Sequence, residues 1–321
     1  MKAPIRLAMV GCGQIAAAHL KAIAALDSAV LTFAVDIVEE SARSAAEGYG
    51  APSWSTDYAD ALNSPEVDAV VLCLPHDLHK SFTIQAARAG KQVLLEKPMA
   101  LDEAEAREMI GAVEEHGTQL SIGQSTRCFP SVQKAKELLA ADAVGHIVNV
   151  AHQRFFWIEQ LSTDWRRALD ACGGLYLPLF GSHDVDALLW LLDTEPERVW
   201  ASVRATSHVS GGDSDGFIGL ELAGGPVASL AFSTRTHYTR TETLFIGTDG
   251  HLLLTRRGVE LNGEAVTLDQ SEDSFALQMR LFVEALLADR EVPVSGGEVL
   301  KTVRTLDLVR RASESGQTQT F

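Results

Sequence analysis

The chain has 321 residues, which corresponds to two domains at about 150 residues each. Its net charge of -16 argues against nucleic acid or an anionic membrane as a partner, because both attract concentrated positive charge. No apolar run reaches the ~18 residues that a membrane span needs, and the hydrophobic content of 46% is ordinary for a soluble globular protein.

The four cysteines are widely spaced and include no C-x-x-C pair, which argues against a zinc site and a disulfide framework. The later histidines show no ligand spacing, so no bound metal is expected. The first residues lack the cleavage site of a secretory signal. We therefore expect a cytoplasmic protein with reduced thiols.

The first predicted elements are a strand, a glycine turn and a helix. The apolar run 5–10 leads into Gly11-Cys12-Gly13-Gln14-Ile15-Ala16, and a helical stretch follows. In such a turn the first glycine permits the tight bend and the second lets the backbone approach a pyrophosphate, while the helix N-terminus offers N–H groups to the phosphates. This unit predicts dinucleotide binding, with contacts from Gly11, Gly13, Gln14 and Ile15.

The second strand ends at Asp36, close to the place where an acidic residue accepts hydrogen bonds from the ribose hydroxyls of a dinucleotide. Asp36 would repel the 2'-phosphate of NADP, and the neighbouring Ile37 adds no positive charge. Arg43 is the only basic residue nearby, further along the following helix. We therefore expect NAD as the cofactor and weaker binding of NADP.

Strands and helices continue to alternate up to Gly123, which predicts a doubly wound parallel sheet. One buried strand, 93–95, runs directly into Glu96-Lys97-Pro98. In open α/β sheets ligands bind beyond the carboxyl ends of the strands, so Lys97 is placed to meet a substrate. An arbitrary lysine in a loop is more often simply solvated.

The pattern changes after Gly123. A helix beginning at Pro130 is followed by strands whose turn signals, Gly224-Gly225 and Asp249-Gly250, favour antiparallel pairing. Further helices are predicted over 178–192, 273–287 and 298–313. The fold class is therefore α/β, with a dinucleotide-binding domain at residues 1–124 and an α+β domain with an open, mostly antiparallel sheet at residues 125–321.

These motifs resemble the Gfo/Idh/MocA family of glucose-fructose oxidoreductase, inositol dehydrogenase and rhizopine-catabolism proteins. The matching features are the glycine turn followed by His19, the segment 75–79, Glu96-Lys97-Pro98, and Gly173-Gly174 followed by Gly181-Ser182-His183. The resemblance spans nearly the whole chain and implies an N-terminal Rossmann domain. It also implies NAD(P)-dependent hydride transfer at a hydroxyl or carbonyl of a sugar, cyclitol or related polyol, in a homodimer or homotetramer joined through the open sheet.

The resemblance also assigns site residues. Lys97 corresponds to the family's active-site lysine and His183 to its substrate-side histidine, and both can serve the proton transfer that accompanies hydride loss from an alcohol. The implied cofactor contacts beyond the glycine turn are Pro75, His79, Glu96 and Lys97. The candidate substrate-binding residues are Arg127, Trp165, Arg166, Tyr176 and His183. Asp186 could orient His183 or only hold the helix, and Arg166 could equally form a structural ion pair.

Leu179 is the departure that matters. The family usually has an aspartate four residues before this histidine, and leucine can neither accept a proton nor polarise an imidazole. Asp184 and Tyr176 are candidates for the group that replaces it. Two alternatives to a sugar or polyol dehydrogenase therefore stay open: an enzyme that uses bound NAD transiently in glycoside cleavage, and a catalytically weak dinucleotide-binding sensor.

The second domain has several strands and too few helices to cover both faces of its sheet. An exposed apolar sheet face invites pairing with a second copy. The candidates for inner or interface positions are Val203, Leu220, Leu222, Leu230 and Phe232.

Overall fold

The computed structural model describes residues 2, 4–268 and 272–321, which form two compact units. The first unit consists of Met1–Ser125 with Glu272–Leu300, and the second consists of Thr126–Ser271 with Lys301–Phe321. Each unit is therefore built from two separate stretches of chain.

The strands, in chain order, are β1 Ile5–Val10, β2 Ala29–Val35, β3 Ser53–Ser55, β4 Ala69–Leu72, β5 Gln92–Glu96, β6 Leu120–Gly123, β7 Ile147–Trp157, β8 Pro196–Arg204, β9 Asp215–Leu222, β10 Val227–Ser233, β11 Arg235–Gly247, β12 His251–Thr255, β13 Val259–Leu261, β14 Glu264–Val266 and β15 Gln319–Thr320. The helices are α1 Ala16–Ala24, α2 Glu39–Tyr49, α3 Tyr58–Asn63, α4 His79–Arg88, α5 Glu103–Glu115, α6 Pro130–Ala140, α7 Leu169–Cys172, α8 Ser182–Leu191, α9 Ser274–Leu287 and α10 Gly296–Ser315. A π-helical turn, Leu177–Gly181, leads into α8.

The first unit contains a six-stranded sheet in the order β3-β2-β1-β4-β5-β6, and every neighbouring pair is parallel. This confirms the predicted doubly wound sheet. Its central strands β1 and β4 are buried almost throughout, as expected when helices cover both faces of a parallel sheet. The strand order reverses between β1 and β4, which is where ligands bind in folds of this kind.

The helix α9 belongs to the first unit, although the sequence placed it in the second domain. Met279, Phe282 and Val283 of α9 share a core with Ile5 and Leu20, so by packing this stretch is part of the dinucleotide-binding unit. The order of elements in the sequence could not show that the chain returns to the first unit after the second sheet. The division into functional domains at residue 124 remains a prediction.

The second unit contains a nine-stranded sheet in the order β14-β13-β12-β11-β7-β10-β9-β8-β15. The pair β7 and β10 is parallel and the other neighbours are antiparallel, which confirms a mostly antiparallel sheet. Residues of α6, α8 and α10 pack on one face together with the core residues Leu220, Leu222, Leu230 and Phe232, with Val203 partly buried against them. These candidates therefore lie on the inner face.

The opposite face of this sheet carries exposed large apolar side chains, Trp200, Phe217, Val227 and Ile246. Between them, the cross-strand row Leu244, Ala151, Ser229, Gly219 and Trp200 is mostly small or apolar. The Trp200 ring lies so close to Gly219 that an added Cβ there would be 2.1 Å from it. Among the described residues, no helix is long and apolar enough to span a membrane.

The helix predicted over 178–192 is present, but its first turn has a different winding. The chain first makes the π-helical turn, in which the N–H of Ser182 bonds back to the carbonyl of Leu177, and the α-helical pattern begins only at Ser182. A hydrogen bond five residues back leaves no signature in hydrophobic periodicity, so this change of winding could not be read from the sequence.

Candidate active site

The glycine turn after β1 has the backbone geometry that its sequence requires. Gly11 has φ of +85°, and an added Cβ would lie 2.2 Å from the carbonyl oxygen of Cys73, which follows β4. Gly13 differs, because a Cβ there would meet no heavy atom of the described residues within 4 Å. Gly11 is thus needed by the fold itself, whereas Gly13 leaves open space where a ligand could approach the backbone.

The residues around this turn fit a dinucleotide. Within the described chain, no side chain caps the start of α1 and its first turn carries no acidic residue, so no side chain of that turn competes with an anion for its N–H groups. Gln14 and Ile15 are exposed at that end. Asp36 accepts hydrogen bonds from the N–H groups of Cys12 and Val38, which fixes its carboxylate at the end of β2.

The loop after β5 is tied to the dinucleotide-binding helix through Glu96. His19 Nε2 of α1 lies 2.7 Å from Glu96 Oε1, and the backbone N–H of Lys97 donates to Glu96 Oε2 at 3.2 Å. Burial raises the pKa of Glu96, but the hydrogen bond from His19 and the charges of His19 and Lys97 outweigh it and hold this pKa below its ordinary value. Glu96 is thus a buried carboxylate that anchors the backbone of Lys97, and its expected cofactor contact remains a prediction.

His79 fixes the same loop from the other side. Its Nδ1 lies 2.8 Å from the carbonyl oxygen of Pro98 and its Nε2 lies 3.0 Å from that of Leu74. The bond between Lys97 and Pro98 is cis. Burial lowers the pKa of His79, and the two carbonyl groups oppose this shift. Pro75 begins the turn that leads to His79.

In the second unit, Arg127 forms a buried ion pair with Asp186 of α8. Its Nε and Nη2 donate to the two carboxylate oxygens at 2.8 and 2.9 Å, and both side chains are almost completely buried. Thr302 adds a third hydrogen bond to Asp186. Of the two roles expected for Asp186, the structure supports that of holding the helix. Arg127 has the same structural role here, and the proposed contact with substrate stays untested.

Leu179 lies in the π-helical turn and packs in a small apolar cluster with Cys172, Leu175 and Val209. Trp165 borders this cluster. Arg166 lies over the Trp165 ring, with 4.7 Å between its Cζ and the ring centroid, and donates to the hydroxyls of nearby serine and threonine side chains. An aspartate at position 179 would therefore enter apolar surroundings in this chain.

A buried polar network surrounds Asp184, the residue after His183. The hydroxyl of Tyr176 donates to Asp184 Oδ2 at 2.5 Å, Arg154 Nη2 donates to Oδ1 at 2.5 Å, and His152 Nε2 lies 3.4 Å from Oδ2. We call Tyr176, Asp184, Arg154 and His152 the Asp184 cluster. Burial raises the pKa of Asp184, but the charges of Arg154 and His152 outweigh it and hold that pKa well below the ordinary range.

Asp213 is a residue that the sequence analysis missed. Its carboxylate accepts from the N–H groups of Leu175 at 3.0 Å and Leu177 at 2.5 Å, and so anchors the entrance to the π-helical turn. Burial raises the pKa of Asp213, although these N–H groups oppose the shift. Asp213 lies more than 30 residues after Leu175 and Leu177 in the chain, so local sequence patterns give no sign of these hydrogen bonds. The preceding Gly211-Gly212 indicates only a turn.

The described residues contain no group of three or more histidine, cysteine, aspartate or glutamate side chains that could hold a metal ion. The structure brings Lys97, Glu96, His79 and Pro75 together in the first unit. In the second unit, half-buried His183 is the second residue after the π-helical turn, and Tyr176 directly precedes the turn.

Comparison with known proteins gives two family matches. Residues 5–124 match the model described as "Oxidoreductase family, NAD-binding Rossmann fold", and residues 132–253 match the GFO/IDH/MocA C-terminal domain. The inositol 2-dehydrogenase of Rhizobium meliloti is 24% identical over 98% of both chains. A 2,7-anhydro-N-acetylneuraminate hydratase of Mediterraneibacter gnavus is 29% identical over 61% of this chain and 53% of its own.

Among solved structures, the aldose-aldose oxidoreductase of Caulobacter crescentus, complexed with glycerol, superimposes with a TM-score of 0.90. It is 26% identical to this chain, and the match covers 99% of each. The fold, the two family matches and the glycine turn agree. The chain therefore belongs to the GFO/IDH/MocA oxidoreductase family, and its first unit is an NAD(P)-binding Rossmann domain.

Proposed function

We propose that this protein transfers a hydride between NAD and a hydroxyl or carbonyl group of a sugar, cyclitol or related polyol. The observation that carries the proposal is the glycine turn, open at Gly13 and followed by Asp36, in the same unit as the anchored Lys97 loop. The names of the inositol and aldose relatives support the substrate class. A bound nicotinamide would supply the hydride acceptor or donor.

An alcohol that loses a hydride must also lose a proton, and we assign this proton transfer to Lys97 and His183. The test is a panel of aldoses, cyclitols and other polyols incubated with NAD, followed by the absorbance of reduced nicotinamide. Reduced nicotinamide formed with at least one compound supports the proposal. Binding of NAD without reduction by any compound would contradict it.

The two glycines of the turn give a matched pair of variants. Gly11→Ala should lower the melting temperature, because its Cβ would clash with the Cys73 carbonyl and its φ is unfavourable for alanine. Gly13→Ala should leave the melting temperature unchanged but weaken NAD binding by about tenfold or more, because the methyl group enters the space left for the pyrophosphate. Thermal unfolding and NADH fluorescence titration measure both effects. Equal changes of melting temperature and of NAD affinity in the two variants would count against a pyrophosphate site at Gly13.

We propose NAD over NADP, on the position of Asp36. A 2'-phosphate would lie against this carboxylate, and Ile37 beside it is 92% exposed and uncharged. Arg43 is paired with Glu40. Because juxtaposed like charges cost several kcal/mol, NAD should bind at least about tenfold more tightly than NADP. Titration of the wild type and of Asp36→Asn with both cofactors tests this. The variant should show a smaller difference between its NAD and NADP affinities than the wild type. Tighter binding of NADP than of NAD by the wild type would refute the proposed cofactor.

We propose that the exposed sheet face of the second unit joins two copies of the chain, as a homodimer or as part of a homotetramer. In a two-fold pairing, Ala151 on the central strand β7 lies in the mostly small and apolar row described above. Ala151→Arg should therefore shift the protein to monomers at micromolar concentration. Ala265→Arg on the edge strand β14 is the control and should leave the mass unchanged. Light scattering that shows a monomeric wild type would end this proposal.

A second candidate function is catalysis with transient use of bound NAD and no net redox change. The hydratase relative favours it, because hydration changes no oxidation state overall. The same panel separates the two when the products are analysed: a converted sugar without accumulated reduced nicotinamide supports the second candidate. In either case we place the protein in the cytoplasm, where its scattered cysteines would stay reduced.

A further inference from the structure

The Asp184 cluster connects the residues on either side of the π-helical turn. Tyr176 directly precedes the turn, Asp184 is the third residue after it, and the hydrogen bond between their side chains joins the two ends. His183 lies between the turn and Asp184 in the chain. Any change in the winding of the turn therefore changes the direction in which His183 points.

Burial, ring stacking and hydrogen bonds hold the side chains of the Asp184 cluster in one arrangement. Tyr176, Asp184 and His152 are each less than about one-tenth exposed, and the ring of Tyr176 stacks on Phe232 with 3.7 Å between centroids. A carboxylate buried in this way is stable only with partners, and Arg154 supplies the compensating charge. His152 is held in turn by Thr243, at 2.8 Å from its Nδ1.

The nearby Leu179 cannot take this role, because it packs in the apolar cluster on the same turn. The only other carboxylate on α8 is Asp186, and it is bound to Arg127 and Thr302. Asp184 is thus the α8 carboxylate whose contacts span the turn.

We propose that Asp184, bound by Tyr176 and Arg154, is a positioning residue that locks the π-helical turn and so orients His183 for proton transfer. This inference rests on the proposed function, because it assigns His183 to that step. The proposal also accounts for leucine at position 179. The carboxylate expected there is replaced by that of Asp184, which fixes the backbone on which His183 lies.

The chain offers a matched control for this proposal. Two buried arginine–aspartate pairs hold α8, Arg154 with Asp184 and Arg127 with Asp186. Asp184 also accepts a hydrogen bond from Tyr176 at the other end of the π-helical turn, whereas Asp186 accepts one from Thr302. Replacing a whole buried pair by apolar residues is often tolerated, whereas removing one partner leaves an uncompensated charge. The informative variants are therefore Tyr176→Phe and the double replacements Arg154→Met/Asp184→Leu and Arg127→Met/Asp186→Leu.

Hydrogen–deuterium exchange of the full-length protein, followed by mass spectrometry, tests the lock without a substrate. Tyr176→Phe and Arg154→Met/Asp184→Leu should raise exchange at the amides of residues 179–185 by about tenfold or more, because a hydrogen bond to a charged group is lost. Peptides of the first unit should be unaffected. Arg127→Met/Asp186→Leu should leave exchange in the turn within about twofold of the wild type. Unchanged exchange in the turn of Tyr176→Phe would overturn the proposal.

Kinetics then separate positioning from mere support of the fold. On a compound that the panel identifies, Tyr176→Phe should lower kcat by about tenfold with KM and NADH affinity kept. In a His183→Ala background the same change should cost nothing further, because Tyr176 acts through His183. A further loss of kcat in the His183→Ala background, or an unchanged kcat in Tyr176→Phe alone, would refute the positioning role. If no compound turns over, the proposed function itself fails and the positioning role falls with it, while the exchange result still reports whether the lock exists.

Discussion

Replacing Lys97 by alanine should lower turnover by about 100-fold or more while NAD affinity is largely kept. The reason is that general acid–base catalysis contributes on this scale, and alanine keeps the backbone N–H of position 97 that donates to Glu96. Removing the side chain should therefore leave the loop in place. Steady-state kinetics on a panel substrate and NADH fluorescence titration give the two quantities.

Lys80 provides the control for this experiment. It is a lysine of α4 whose ammonium group lies 3.6 Å from Glu105 and 3.4 Å from Glu108 at the protein surface. Lys80→Ala should change kcat by less than about twofold, because exposed ion pairs contribute little. In the double variant Lys97→Ala/His183→Ala the losses should be clearly less than multiplicative if both residues serve one proton transfer. A fully active Lys97→Ala enzyme would remove the residue from the mechanism.

Replacing Leu179 by aspartate should not raise activity and should destabilise the second unit by about 3 kcal/mol or more. The substitution removes an apolar side chain that is only 8% exposed and places a carboxylate among Cys172, Leu175 and Val209. Thermal and denaturant unfolding measure the loss of stability. The panel, run with the same protein, measures activity on common sugars and inositols.

Leu179→Asn is the matched control, because asparagine has the shape of aspartate without its charge. We expect Leu179→Asn to lose less stability than Leu179→Asp above neutral pH, since only the aspartate introduces a buried charge. A gain of activity in Leu179→Asp alone would show that the chain is an ordinary dehydrogenase weakened by its leucine. It would also make the Asp184 cluster unnecessary as a replacement.

Much of the first unit could be predicted from the sequence, because parallel strands buried on both faces appear as short apolar runs. The strand 5–10 was predicted with the bounds that the structure shows. The parallel pairing of its strands was also predicted. The bond between His19 and Glu96 was not, because a contact 77 residues apart leaves no trace in local periodicity.

The second unit was harder to predict for the same physical reason. Its strands alternate enough to be seen, but the strands β13, β14 and β15 are only two or three residues long and were missed. The ion pair of Arg127 with Asp186 and the Asp184 cluster join distant segments. The sequence therefore indicated neither the ion pair of Arg127 nor the hydrogen bond of Asp184 across the π-helical turn.

The sensor alternative raised by Leu179 also makes a distinct prediction. A binding protein would hold the dinucleotide tightly through the turn at Gly13 and Asp36 without converting any sugar. The dehydrogenase and the transient-NAD enzyme would both convert sugars, and they differ in the final location of the hydride. The fate of that hydrogen therefore separates all three.

The most direct test of hydride transfer uses reduced nicotinamide deuterated at the transferred position, together with the carbonyl forms of the panel sugars and cyclitols. Mass spectrometry should find deuterium on the product carbon in proportion to the cofactor oxidised, and Lys97→Ala should abolish most of this transfer. Product formed without deuterium, or no product at all despite bound cofactor, would contradict the assignment as a net oxidoreductase.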